Sequence, residues 1–218
     1  MAAIEKFKKH PESGRAMFLL EIDSLDDWPE EIVLPKSKQF VLFLATDAED
    51  VHDDEITALA TRCLDQGMVY LSAWGKGSER MHDSFEEAAA DWDPDADADT
   101  ALQSEWHEDE ALSEALRFAV ASAIPASAYE KTCMATLAVT VGDPDAALLI
   151  REWLADPAAL DLAAEEKEDV KRPAEDEEGA EKAEKAEEDD DDLDDDEDEE
   201  PDEDDDDDDD DDEDGDDD

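Results

Sequence analysis

Residues 39–45 read QFVLFLA, an uninterrupted run of aromatic and aliphatic side chains after one glutamine, and this stretch decides the fold class. A strand that is buried on both faces has such a continuous pattern, whereas a strand with one solvated face alternates. Similar runs occupy residues 68–74 (MVYLSAW) and residues 135–141 (ATLAVTV). Three such strands predict a mostly parallel sheet with both faces covered.

The segments that follow the first two strands carry helical patterns. Apolar residues recur at helical spacing from residue 56 to residue 64, and Gly67 then ends the helix. We expect Asp53 or Asp54 to cap this helix. A second helix carries its apolar positions between residues 85 and 92, and Asp83 and Glu86 resemble a capping box at its start.

Two further helices and a weaker strand complete the pattern. Residues 101–106 are the weaker strand candidate, and the acidic residues 108–110 are expected in the first turn of a third helix that Pro125 closes. Asp143 and Pro144 supply an N-cap and a first-turn proline for a helix that runs to Leu154. The resulting order is β-α-β-α-β-α-β-α.

This alternation predicts the α/β class: a mostly parallel open sheet of four to five strands with helices on both faces, Rossmann-like or flavodoxin-like. The segment 16–22 is expected to add an edge strand. The order of the strands stays open.

Charge divides the chain near residue 160. Residues 1–160 carry 34 acidic against 12 basic side chains, and residues 161–218 carry 40 against 5. We therefore predict an α/β domain over 1–160 and a disordered polyacidic tail over 161–218, because the tail has too few apolar side chains to offset its ordering entropy.

A net charge of −57 excludes some partners and favours others. Nucleic-acid backbones and anionic membranes are repelled, whereas a basic protein is attracted, although the tail could serve solubility alone. The N-terminal residues contain no signal-peptide core, which predicts a cytoplasmic protein. Cys63 and Cys133 lack a CxxC arrangement, so we expect two buried thiols rather than a disulfide or a zinc site.

The loop after the second strand contains the parts of an anion-binding cradle. Trp74 ends that strand, and Gly75, Lys76, Gly77 and Ser78 follow it. Glycines let backbone N–H groups approach a ligand, and the lysine and the hydroxyl supply polar contacts at a helix N-terminus. The alternative is a tight turn from strand to helix without a ligand.

Catalytic candidates follow neighbouring strands, where α/β sheets bind ligands. His107 stands beside Trp106 and before three acids, so it could act as a general acid or base. Ser78 and Asp47 are weaker candidates. The alternative is structural, with Trp106 anchoring the strand end and His107 bonding to the loop. We favour a non-enzymatic protein and leave an enzymatic site open.

The alternating aspartates at residues 93, 95, 97 and 99 resemble a calcium-binding loop only in part. Counting from Asp93, the sixth position is Ala98 instead of glycine and the twelfth is Ser104 instead of glutamate. We therefore predict a solvated acidic loop, and no metal or cofactor.

Two segments, Ala-Trp-Gly-Lys at 73–76 and Trp-His-Glu-Asp-Glu-Ala-Leu-Ser-Glu at 106–114, resemble a family of small bacterial proteins of unknown function. The likeness covers roughly residues 30 to 155. It implies a fold and a bacterial origin but no activity. In that family a cysteine often follows the Gly-Lys pair, where this chain has Ser78, so thiol chemistry is not carried over.

These observations lead to two hypotheses of function. The first is an interaction or regulatory protein whose acidic domain and tail engage a basic protein partner. The second is a small-molecule or enzymatic site at the carboxyl edge of the sheet around Lys76 and His107.

Overall fold

The computed structural model describes residues 3–171 of the chain, with side chains through residue 165. The strands and helices of this part are β1 (Glu5–Lys9), β2 (Ala16–Ile22), β3 (Gln39–Ala45), α1 (Asp53–Asp65), β4 (Met68–Trp74), α2 (Ser78–Trp92), β5 (Gln103–His107), α3 (Leu112–Arg117), β6 (Cys133–Val141), α4 (Pro144–Ala155) and α5 (Pro157–Lys171). The mixed α/β class is confirmed.

One six-stranded sheet has the order β1-β2-β6-β3-β4-β5. β1 runs antiparallel to β2, and every other pair is parallel, as the buried apolar runs predict. The expected edge position of residues 16–22 was wrong, because β1 covers one side of β2 and β6 lies on the other. The sequence EKFKK of β1 gave no apolar signal, since four of its five residues are exposed.

Helices cover both faces of the sheet. α1 and α2 pack on one face, where Phe18, Leu42 and Leu71 belong to the larger core cluster. α3, α4 and the start of α5 pack on the other face, where Phe43 and Leu160 are fully buried. Side chains of central strands thus alternate between two covered faces, which explains their continuous apolar runs.

Two predicted helix starts were wrong. α2 begins at Ser78 directly after Gly77, so Asp83 and Glu86 lie inside the helix and form no capping box. α3 begins at Leu112, and the acids at 108–110 precede it. The carboxylate of Glu114 accepts a hydrogen bond from the Ala111 N–H at 2.9 Å instead.

The helix starts elsewhere were predicted with mixed success. At α1, the N-cap residue is His52, and Asp53 and Asp54 lie in the first turn without a capping bond. At α4, Asp143 is the N-cap as predicted, and its carboxylate accepts from the Ala146 N–H at 2.9 Å.

α5 spans the predicted boundary at residue 160. Leu160 and Ala164 have no exposed surface, so the helix is part of the packed domain. The predicted tail from residue 172 onward lies outside the described residues.

Both cysteines are buried free thiols, as predicted. Between residues 3 and 171 no helix combines the length and the apolar character needed to cross a membrane.

Candidate functional site

The loops after β3 and β4 meet at the carboxyl edge of the sheet. The Thr46 N–H donates to the Trp74 carbonyl at 3.0 Å, and the Ala48 N–H donates to the Lys76 carbonyl at 2.9 Å. The parallel register of β3 and β4 places both strand ends side by side. Residues 46–48 and 74–77 therefore form one hydrogen-bonded pair of loops.

The glycines of the Gly75-Lys76-Gly77 loop permit this close backbone contact. Gly75 has φ +111°, and a Cβ atom there would overlap the carbonyl oxygen of Thr46. Gly77 has φ +70°, and its Cβ atom would lie 3.1 Å from the Ala48 carbonyl carbon. Both positions thus need glycine for reasons internal to the fold.

The loop's cradle holds a carboxylate of the same chain. The Gly77 N–H, at the start of α2, donates to Glu108 Oε1 at 3.1 Å. An anionic oxygen at a helix N-terminus is stabilised by the helix dipole, so Glu108 stands where a ligand anion would bind. This bond also joins the loop after β4 to the segment after β5.

The two polar side chains of this loop have different environments. Lys76 is exposed, and its Nζ lies 3.5 Å from Glu49 Oε2. Ser78 is buried, and its hydroxyl has no hydrogen-bond partner within the described residues. Lys76 therefore neutralises a neighbouring carboxylate, whereas Ser78 retains unused hydrogen-bonding capacity.

Asp47 and Arg80 stabilise the loop after β3. Asp47 is exposed, and its carboxylate accepts from the Glu49 N–H at 3.1 Å, which is a local turn bond. Arg80 donates to the carbonyls of Ala48 and Val51. No local sequence pattern indicates a role for Arg80, because an arginine in the first turns of an exposed helix is common.

Trp74 and Trp106 lie in separate surroundings. Trp74 is half-buried against the core cluster of α3 and α4, and its indole N–H donates to the Glu110 carbonyl at 2.9 Å. Trp106 is 42% exposed and contacts His82 of α2, with ring centroids 4.7 Å apart. The two indoles thus contact helices of opposite layers and share no site.

His107 is buried where β5 ends. Its Nδ1 lies 3.0 Å from Glu110 Oε2, and its ring centroid is 5.2 Å from that of Phe118. Its Nε2 is buried without a partner among the described side chains and backbone groups. The Nδ1 contact agrees with the structural interpretation, in which His107 bonds to the loop after β5. A catalytic role in proton transfer would therefore have to use Nε2.

A buried polar group that the sequence did not indicate lies near the opposite edge. Arg15 is 5% exposed, its Nη2 lies 3.4 Å from the Val120 carbonyl, and burial lowers its pKa. Burial raises the pKa of the Cys133 thiol, and the charge of Arg15 opposes this effect. Burial likewise raises the pKa of Tyr70 to about 12, with a further contribution from Glu105.

The π-helical turn at 118–122 explains why Arg15 lies there. The Ala123 N–H bonds to the Phe118 carbonyl, five residues earlier, and the Val120 carbonyl accepts from Ser13 Oγ at 2.6 Å. A guanidinium beside these terminal carbonyls is favoured by the helix dipole. No sequence motif joins positions 15, 70 and 133, so only the fold shows this group.

The acidic loop at 93–99 is exposed at six of its seven positions. Asp97 accepts from the Asp99 N–H at 3.0 Å and from Thr100 Oγ1 at 3.1 Å, which closes a local turn. No group of three or more His, Cys, Asp or Glu side chains within the described part could hold a metal ion.

The carboxyl edge therefore combines three hydrogen-bonded loops, a cradle filled by Glu108, and the buried Ser78 hydroxyl and His107 Nε2, which have no partner among the described residues. No curated protein and no solved structure matches the chain significantly. One family model matches residues 17–157, which include β3 to β6, all but the first residue of β2, and the whole carboxyl edge. The chain therefore belongs to the family described as a domain of unknown function, DUF7684.

Proposed function

We propose that this chain is a non-enzymatic interaction protein whose acidic domain and acidic C-terminal region engage a basic protein partner. Residues 47–91 contain 12 acidic and 3 basic side chains. All 12 acidic side chains are exposed. This excess of exposed carboxylates over α1, α2 and the carboxyl edge is the observation that carries the proposal.

Few cations within this surface offset its charge. Lys76 lies beside Glu49, and Arg80 bonds to Asp53 at 2.9 Å. Exposed ion pairs of this kind contribute little to stability. The other carboxylates therefore give this surface a negative electrostatic field. Such a field accelerates encounter with a basic protein and weakens as salt is added.

A ligand at the carboxyl edge is the second candidate function. The buried Ser78 hydroxyl and His107 Nε2 lack partners within the described residues, which favours it, whereas Glu108 in the cradle opposes it. A titration of the protein with inorganic phosphate tests this second function, with the NMR signal of the Gly77 N–H as the readout. Saturable binding that strengthens in Glu108→Gln would support the ligand site; an unchanged Gly77 signal in both proteins would remove it.

We infer that the protein is cytoplasmic and bacterial, and that the segments 73–76 and 106–114 are shared by its family. Bare nucleic acid and anionic membranes are not its partners, because a net charge of −57 repels both.

Affinity purification from the protein's own cells tests the leading function. The full-length chain and a chain that ends after Lys171, which keeps α5 intact, serve as baits. We expect both baits to retain basic proteins that are released by added salt, with weaker retention by the shorter chain. Recovery of the same proteins at every salt concentration, or of no basic protein, would contradict the proposal.

A further inference from the structure

β5 has an open edge. It is the last strand of the sheet, and β4 is its strand partner. Within the described part of the chain, no backbone group of Gln103–His107 forms a hydrogen bond outside that ladder. The outer side of β5 therefore presents unpaired N–H and C=O groups to any extended segment that can approach it.

Trp106 gives this edge an exposed aromatic ring. One side of the ring contacts His82, which is 8% exposed and is held between Asp83 at 3.1 Å and Glu86 at 3.3 Å. The indole N–H of Trp106 donates to no group among the described residues, whereas that of Trp92 donates to Asp65. A rigid ring with carboxylates beside it attracts cationic side chains.

A groove lies between α2 and the segment that leads into β5. It has a volume of about 280 Å³, and its lining includes the apolar residues Ala89, Ala90 and Leu102 and the carboxylates of Glu86 and Asp93. Ser104 of β5 donates to Glu86 at 2.8 Å, which joins the strand to one side of the groove. We use the name β5 groove for the open edge of β5 together with this neighbouring groove beside α2.

We propose that the β5 groove binds an extended basic segment of a partner protein, added as a strand beside β5. Successive residues of β5 face opposite sides, with Trp106 beside α2 and Glu105 on the side of Tyr70. An added strand therefore meets Trp106 with one residue and Glu105 with the next. An arginine over Trp106 and a lysine beside Glu105 fit these two positions, so the motif is a pair of consecutive basic residues.

Charge complementarity selects this occupant. Carboxylates on both sides of β5 repel an acidic strand and leave a neutral strand without compensation. A second copy of the chain also carries a basic edge strand, β1, but two chains of net charge −57 repel each other. This inference rests on the proposed function, because it names where the basic partner binds and in which conformation.

A labelled peptide tests the β5 groove on the full-length chain. The probe is a short fluorescein-labelled peptide of alternating threonine and valine with an arginine–lysine pair at its centre. Its controls carry a glutamate pair or a backbone that is N-methylated at alternate positions. Anisotropy gives the dissociation constants for the wild type, Trp106→Ala and Glu105→Lys, with Leu148→Ala on α4 as the matched loss of an exposed apolar side chain.

We expect the basic probe to bind the wild type and Leu148→Ala equally. Trp106→Ala should weaken binding roughly fivefold to tenfold, and Glu105→Lys should weaken it further. The N-methylated and glutamate peptides should not bind. Equal binding by all four proteins would overturn the β5 groove while leaving the proposed function intact.

Two other outcomes also decide the matter. Failure of the basic probe to bind the wild type would overturn the β5 groove, whereas the proposed function is decided separately by whether the affinity purification recovers salt-sensitive basic proteins. Concentration-dependent association of the chain that is lost in Lys8→Glu would assign the groove to a second copy and overturn the partner protein as its occupant.

Discussion

Replacement of Gly75 by alanine tests whether the loop at 75–78 is shaped for packing against the loop after β3. Gly75 has φ +111°, and an added Cβ would overlap the Thr46 carbonyl oxygen. A left-handed conformation costs an L-residue about 1–2 kcal/mol. Displacing residues 46–48 would also break the bonds from Thr46 to Trp74 and from Ala48 to Lys76, at about 1 kcal/mol each. We therefore expect Gly75→Ala to lower the free energy of unfolding by about 3–4 kcal/mol.

Gly14→Ala is the matched control. Gly14 also has positive φ, at +68°, but an added Cβ would meet no atom of the described residues within 4 Å. It should therefore cost only the conformational part, about 1–2 kcal/mol. Urea unfolding of both variants and the wild type, followed by tryptophan fluorescence, measures the difference. Equal destabilisation by the two substitutions would refute the account of the loop.

Three further predictions concern burial. His10→Gln should make folding less sensitive to acid. Burial lowers the pKa of His10 from 6.5, so the unfolded chain binds the proton first and the free energy of unfolding falls as pH drops below about 6.5. Urea unfolding between pH 7 and pH 5 should show a smaller loss of stability in the variant, and an identical loss would contradict this cause. Tyr70→Phe should protect the fold against alkaline pH. The tyrosine of the unfolded chain has a pKa near 10 and that of the folded chain a pKa of about 12, so the free energy of unfolding of the wild type decreases between these pH values. An ultraviolet titration that shows Tyr70 ionising near pH 10 would count against its burial. Leu160→Ala should destabilise the domain by about 2–4 kcal/mol, because this side chain lies on the packed face of α5 and is fully buried. Leu162→Ala, at an exposed position of the same helix, should cost far less; thermal unfolding compares the two variants, and equal effects would remove α5 from the core.

The sequence predicted the parts of the fold that depend on local patterns. β3 and β4 were predicted at their observed bounds, and Asp143 was predicted as the N-cap of α4. Uninterrupted apolar runs and a capping residue before proline are local signals, and tertiary packing did not override them. The position of β6 between β2 and β3 has no local signal, because strand order depends on how the long connection after β5 crosses the sheet.

The candidate site was predicted only at the level of position. The residues after β3, β4 and β5 do meet, because parallel strands end at one edge of a sheet. The sequence could not predict that Glu108 occupies the cradle, because the position of Glu108 depends on how the segment after β5 folds back. Trp106 is exposed and His107 is buried because successive residues of β5 face opposite sides of the sheet. Predicting this would have required the bounds of β5 and the position of the helices on each side.

The exposed carboxylates of α2 give the most direct test of the central claim, that the acidic surface binds a basic partner. Glu79, Glu87 and Asp91 are exposed, and replacing them by Gln, Gln and Asn leaves the packed face of α2 unchanged. Glu130, Asp145 and Glu152 are equally exposed and provide a control of equal charge on other segments. In quantitative affinity purification at low salt, we predict that the α2 variant loses basic proteins that the wild type and the control variant retain. Equal retention by all three proteins would contradict the claim.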